Sequence, residues 1–539
     1  MEHDGSAISA LRAAKIAKHT IWRQVEQACA ALEKSIDSDP RPPPRCPLAG
    51  PAIPPNRLGG NGFGKVLNGI RPGPILQDLG LEHGVIEASN RPGGRVQTHR
   101  FTLEDGDYYE VGAMLFADTP IMTRTFKLLK LLNIEKDTSP DPKQATLIPF
   151  YFSGPNNPVL FNNILVSGSP RPEEVDPFQV STSNGGTVGN RAYLIEKYPA
   201  KTGEDPGTGY FDVSFLTWLL LSVEFKNPST LPPTHDAEPV TKKAGPVWRI
   251  VNGGSDIVAE RLAGKLQKEP LYNYRVTKIS RKKGGEMAVT MQRAFVAEPV
   301  ERVYSHVITT ATAPCLRHID LRDAGLRYAH REAIRVLHYD SGLKAGIKFK
   351  RRWLAEDRGI TKGGIGKTDR PTRIDASRLG ALSMSSNPGA QVAIFDTVMA
   401  DLTAMHGYPE ADLRRMVLEY HVRDWDRDPL ALGHVASLAP DQFATFFGDM
   451  HIPVAEGRLV FAGEIVSIYH GWIVAALNSA YVAVYKLLLS ELFRNIRTRE
   501  KTVYLLQKLA RLKHNWGMAD EVESEYDEDP KESLVGKRI

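Results

Sequence analysis

The apolar run Leu81-Glu82-His83-Gly84-Val85-Ile86 leads straight into Glu87-Ala88-Ser89-Asn90-Arg91-Pro92-Gly93-Gly94-Arg95, and this junction limits what the chain can fold into more than any other. A short apolar run bounded by turn residues reads as a buried strand. Glu87 then stands at the strand's carboxyl end, where an acidic side chain accepts hydrogen bonds from ribose hydroxyls. Gly93 and Gly94 let a phosphate come close to the backbone, and Arg95 carries a planar fork of donors for its oxygens. These are the parts a bound dinucleotide needs after a strand. The same punctuation also suits an ordinary surface turn, so the reading needs support from elsewhere in the chain.

The far end of the chain supplies it. Gly457-Arg458-Leu459-Val460-Phe461-Ala462-Gly463-Glu464 reads as a buried strand ending in Gly463 and Glu464, and His470-Gly471-Trp472-Ile473 opens a long apolar helix to about Leu492. A strand, a glycine and a helix start bring free backbone N–H groups towards an anion. Each piece alone would also suit a plain core strand or core helix.

The chain has 539 residues, which is too long for one ordinary core, and its 42% hydrophobic and 24% charged content describes two or three soluble globular domains. A net charge of +5, scattered rather than gathered into a stripe, argues against nucleic acid as a partner. Cys29, Cys46 and Cys315 have neither metal-ligand spacing nor a framework of pairs, so disulfides and metals are not expected. Met1-Glu2-His3-Asp4 lacks the parts of a secretory signal, and Phe215 to Val223 is too short to span a bilayer. The expectation is a cytosolic protein without a membrane span.

Residues 7–36 have the apolar stripe of a helix at Trp22, Val25, Cys29, Leu32 and Ile36, and the prolines between Pro40 and Pro55 make an extended linker. A helix is expected from Pro120 through Asn133, another from about Gly253, and strands over Tyr274–Ser280, Met287–Gln292 and His306–Thr310, with Arg281-Lys282-Lys283 in a hairpin turn. Asp323 to Leu337 reads as helix and Gly342 to Phe349 as strand. Beyond Arg494 a basic helix precedes a charged, solvated end at Asp520-Glu521-Val522-Glu523.

Further segments complete a pattern that runs from about Lys65 to Leu489: Tyr108-Tyr109-Glu110-Val111-Gly112-Ala113-Met114, Leu147-Ile148-Pro149-Phe150, Asn184-Gly185-Gly186-Thr187-Val188, Asn252-Gly253-Gly254-Ser255-Asp256, and the run from His338 through Gly363. Together with the two terminal motifs they resemble the flavin-containing amine oxidase superfamily, and within it the fungal-type L-amino-acid oxidases. The resemblance implies an α/β fold in which a discontinuous, Rossmann-like FAD-binding domain joins an α+β substrate-binding domain and a helical subdomain. Its implied boundaries are a helix and linker at 1–58, FAD-binding parts at 59–119, 247–320 and 456–493, a helical access region at 120–246, a substrate domain at 321–455 and a tail at 494–539. It implies FAD as cofactor, a small amino acid or amine as substrate, molecular oxygen as second substrate, and a homodimer.

By the same resemblance Glu87 and Ala88 serve the adenosine, Gly93, Gly94 and Arg95 the phosphates, and Val276 the adenine. Gly112, Ala113 and Met114 lie near the flavin ring, Gly463 and Glu464 at the diphosphate and ribityl, and Gly471, Trp472 and Ile473 at the helix start. Lys344, in His338-Tyr339-Asp340-Ser341-Gly342-Leu343-Lys344, takes the role of the lysine that holds a water beside the flavin. Trp472 becomes an aromatic wall, Gly471 lies against flavin and substrate, and His470 is structural. Read alone, Lys344 suits a surface strand edge and Trp472 an ordinary core.

Three positions depart from the family pattern. Where a GxGxxG turn and the start of its helix belong, this chain has Lys65 to Gly80, with Pro72 and Pro74 lacking N–H donors; Gly60-Asn61-Gly62-Phe63-Gly64 lies too early to replace it. Leu115 stands where the family has an arginine for the substrate carboxylate. At Arg373-Ile374-Asp375-Ala376 a tyrosine-bearing insertion is absent. Three readings follow: an L-amino-acid oxidase, a catalytically impaired member acting as a binding protein, and an oxidase of amines lacking a carboxylate.

Overall fold

The computed structural model describes residues 66–67, 72–119, 122–135, 145–152, 154, 156–161, 164–166, 247–340, 342–368, 388–436, 438, 442–467 and 470–516. The expected helix at 7–36, the proline linker, Gly60 to Gly64, Asn184 to Val188, Phe215 to Val223, Arg373 to Ala376 and the acidic end at 520–523 lie outside these residues.

The first elements are β1 (Val66–Leu67), α1 (Pro72–Asp78) and β2 (His83–Gly84), followed by the hairpin β3 (Thr98–Arg100) and β4 (Tyr108–Glu110), and by β5 (Phe116–Ala117). Next come α2 (Thr123–Leu131), β6 (Ala145–Pro149), β7 (Trp248–Val251) and α3 (Asp256–Gly264). An antiparallel sheet of β8 (Tyr274–Arg281), β9 (Met287–Arg293) and β10 (Val300–Tyr304) precedes β11 (His306–Thr309). Then follow α4 (Tyr328–Val336), β12 (Leu343–Phe349), α5 (Pro388–His406), α6 (Glu410–Met416), β13 (Val417–Asp424) and α7 (Gln442–Met450). The last elements are β14 (Leu459–Phe461), α8 (Ile473–Asn495) and α9 (Arg499–Trp516).

A four-stranded parallel sheet, in the order β2-β1-β11-β14, gathers strands from three distant parts of the sequence. All four residues of β11 are buried, as an apolar strand covered on both faces must be. Its side chains alternate between two cores. Ile308 and Val460 face α1, α8 and α9, while Val307, Leu459 and Phe461 face the β8–β9 pair and α4. β1 therefore holds the place of a first central strand. α1 is seven residues long and opens on Pro72, a position where a missing N–H costs no helical bond.

Several expectations change in detail. The buried run 81–86 forms a strand only at His83–Gly84, with Ile86 making a single parallel bridge to Leu271. The helix expected over 323–337 begins only at Tyr328, because Leu321 to Ala324 makes a turn. Exposed β10 escaped sequence reading because four of its five residues face solvent. The basic helix expected after Arg494 is present as α9, and it is packed: Leu505, Leu506, Leu509 and Leu512 join the core of α1 and α8. Asp78 of α1 accepts from Arg511 at 2.9 Å, Asn515 at 2.8 Å and Trp516 at 3.1 Å.

α8 is long and apolar enough to cross a membrane by length and composition, and in this fold 56% of its most apolar window is buried inside the protein. A second sheet region pairs β12 with β13, with Lys344 opposite Arg423 and Gly346 opposite His421. Trp353, Met399, Leu402, Met405 and Leu413 form the core against which α5 and α6 cover it.

Candidate functional site

A cavity of about 660 Å³ opens where β2, β11 and β14 end and α8 begins. That volume lies within the range of small-molecule and cofactor sites. Glu87, Ala88, Gly93, Gly94, Arg95, Gly112, Ala113, Val276, Gly463, Glu464, Gly471, Trp472 and Ile473 all line it. Met114 and Lys344 are not among the lining residues; Lys344 reaches the cavity only through its contact with Gly112, which does line it. The Lys344 ammonium donates to the Gly112 carbonyl at 2.7 Å and lies 3.8 Å from the Met114 sulfur.

At one end the backbone of Glu87 is tied to the segment before β8, donating to Leu271 O at 2.9 Å and accepting from Tyr274 N at 3.0 Å. Its carboxylate accepts from both the N–H and hydroxyl of Ser89, each at 2.9 Å. Burial pushes this carboxyl above the usual range in spite of those bonds, a state that donor hydroxyls of a ligand would relieve. Val276 lines the same end beside a β-bulge, which interrupts the ladder of β8 and β9 there.

The glycine loop is held from within. Arg91 donates to Gly94 O at 2.8 Å, Gln97 Oε1 at 2.7 Å and Pro92 O at 3.1 Å. Gly93 has φ +106°, and a Cβ there would come within 2.7 Å of Val96 O, so only glycine suits the turn. At Gly112 a Cβ would fall on the Arg95 carbonyl, because the Ala113 N–H donates to that oxygen at 3.1 Å.

Arg95 and Glu464, both expected at the phosphate side, are paired directly with each other. Arg95 also donates to His434 O at 2.7 Å. Glu464 further accepts from Ala436 N at 3.2 Å and Gly471 N at 2.9 Å. Burial alone would raise the Glu464 carboxyl, but the Arg95 charge and these donors hold it below its ordinary range. The pair thus joins the glycine loop to the start of α8.

Trp472 is the N-cap of α8 in an extended conformation, and its ring lies 5.6 Å from that of Trp248 on β7, tilted by 30°. Gly471 before it has φ +79°. His470 is buried, and burial favours its neutral ring, in keeping with a structural place. Lys344 is partly buried, and burial lowers its ammonium pKa. Sequence reasoning did not single out Arg91 or Trp248. Arg91 stands four residues before Arg95 in the same motif and was legible; nothing local marks Trp248.

The residues present suit a dinucleotide on the Glu87 side and at the α8 start. On the diphosphate side α1 offers less, because Pro72 lines the cavity and neither it nor Pro74 has an N–H. Leu115 is partly buried just before β5. Two arginines on neighbouring elements are engaged elsewhere: Arg124 lies 4.7 Å over the Tyr481 ring and donates to Asn478 at 2.8 Å, and Arg249 lies 3.9 Å from Asp118.

A family model described as flavin containing amine oxidoreductase matches residues 75–191 and 219–488. A putative bifunctional amine oxidase of Dictyostelium discoideum is 29% identical over 564 residues, covering 88% of this chain and 49% of that protein, so the chain spans about half of that relative. L-amino-acid oxidase 4 of Hebeloma cylindrosporum is 28% identical over 535 residues, covering 81% of this chain and 83% of the relative. Among solved structures, the cyclohexylamine oxidase from Brevibacterium oxydans superposes with a TM-score of 0.56 at 16% identity, over 79% of this chain and 99% of that one. A redesigned putrescine oxidase gives 0.52 at 16% identity, over 79% and 98%. These two likenesses concern the fold.

Proposed function

The chain belongs to the flavin-containing amine oxidoreductase family, and from that membership we propose that it is an FAD-dependent L-amino-acid oxidase. Its reaction would convert an L-amino acid, oxygen and water into a 2-oxo acid, ammonia and hydrogen peroxide. FAD, when bound, would supply the two-electron redox chemistry that links the substrate to oxygen. Everything else falls to the protein. Glu87 accepts from ribose hydroxyls, Arg95 keeps a positive charge at the phosphate side, and the start of α8 turns backbone donors towards the cavity. Trp472 forms an apolar wall for the substrate, and Lys344 holds a water at the reacting centre.

One observation carries this reading: Lys344, 232 positions away in sequence, donates to the carbonyl of Gly112, a residue that lines the cavity. A lysine on a mere strand edge would have its ammonium in water. Leu115 favours a second reading, oxidation of an amine without a carboxylate, because no charged partner stands at that position. Loss of such a contact would cost about 2–5 kcal/mol of binding for an amino acid.

Both readings meet in one assay. We expect the purified chain to take up added FAD weakly, since α1 opens on prolines, and then to release peroxide with L-amino acids. Peroxide from amines only would select the second reading. Flavin binding without peroxide from any substrate would leave a binding protein, and stoichiometric flavin on purification would show that the prolines cost nothing.

A further inference from the structure

One face of β12 is zipped along the segment that runs from Asp107 to Met114. Lys348 pairs with Asp107, the Tyr109 ring lies on Gly346, and Lys344 donates to Gly112 O at 2.7 Å. The three contacts run in opposite directions along the two segments, and they use alternate residues of β12, as the period of a strand requires. The two outer contacts are made by long, flexible lysines. The middle one is rigid: a Cβ at Gly346 would clash with the Tyr109 ring, coming within 2.7 Å of three of its atoms, so the ring occupies the space a side chain would need.

The Tyr109 hydroxyl adds a second hold on the same sheet. It donates to His421 O at 3.0 Å, lies 2.6 Å from His421 Nδ1, and reaches Lys344 O at 3.5 Å. His421 is the partner of Gly346 in the β12–β13 register. Its ring stacks on His99 of β3 at 3.8 Å with 4° between planes, and His99 is the cross-strand partner of Tyr109. Three rings thus fasten the β3–β4 hairpin to the β12–β13 pair.

We infer that Tyr109 is the positioning residue for Lys344: its ring, seated in the slot left by Gly346, fixes the register at which β12 docks and so the place of the Lys344 ammonium. A shift of β12 by two residues would put Gly346 or Gly342, neither of which has an ammonium, near Gly112 instead, and a one-residue slip would turn every side chain to the other face. The inference rests on the reading that Lys344 serves the cavity.

The test reads Lys344 directly. In protein labelled with 13C at the lysine ε-carbon, the resonance lost in Lys344→Met is that of Lys344, and its titration is expected below that of the exposed lysines. Tyr109→Phe keeps the ring in its slot and leaves the resonance in place. Tyr109→Leu, which empties the slot, and Gly346→Ala, which fills it, both move the resonance and bring its titration back towards the ordinary lysine range. A Lys344 signal unmoved in whichever of these two variants folds overturns the inference. Where peroxide is released, kcat falls about tenfold in both variants with KM little changed. A Lys344→Met variant as active as the parent sinks the role of Lys344 while the resonance shifts still report the register.

Discussion

At the scale of single residues, the Arg95–Glu464 pair shows why a buried charge need not weaken a fold. Glu464 is 7% exposed and Arg95 26%, and each has further hydrogen bonds that compensate for lost water. Replacing one member leaves the other charged and unpaired. Glu464→Gln is expected to lower stability by about 3 kcal/mol at neutral pH, measured by urea unfolding. The folded carboxyl lies below its ordinary value, so this contribution is complete above about pH 4.3 and is lost as pH falls through the lower folded value. The gap between parent and variant should therefore close on acidification, and equal midpoints at pH 7 would show that the pair contributes nothing. The sequence pointed to both residues through their motifs, yet not to their pairing, since nothing in either motif says that the two ends of the chain meet.

Among elements, those with strong apolar character could be read from the sequence and the exposed ones could not. β8, β9, β11 and α8 fall where the apolar patterns put them, and so does β2, though it is shorter than the run 81–86; β10 carries no inward pattern. α9 teaches a different lesson. Its leucines at 505, 506, 509 and 512 form a helical stripe, but the lysines and arginines between them drew attention to charge. The family match ends at residue 488, and α9 lies beyond it. It covers α1, which is too short to bury its own face of the sheet. Leu512→Ala, at a position with no exposure, should cost about 2–5 kcal/mol by thermal or urea unfolding. A loss below roughly 1 kcal/mol would mean that α9 merely rests on the surface. Asp78, with donors from three α9 side chains, would hold the two helices in register even then.

For the whole molecule, the decisive fact is that the cavity belongs to no single stretch of sequence. Its walls come from around residues 87–113, 274–319, 423–435 and 463–480. Local motifs could name the parts, and the family pattern could say that they meet; only the parallel order β2-β1-β11-β14 shows how. Arg95 and Glu464 are 369 positions apart. At a synthesis rate of about 5–20 residues per second, the glycine loop waits roughly 20–70 s on the ribosome before its partner is made. Chains arrested with Glu464 still inside the exit tunnel should leave the loop open to protease, and chains arrested beyond α8, with that helix outside the tunnel, should protect it. Equal protection in both would mean that the first part folds alone. The timing of translation, and not only the geometry of the finished fold, thus decides when this protein can first hold its cofactor.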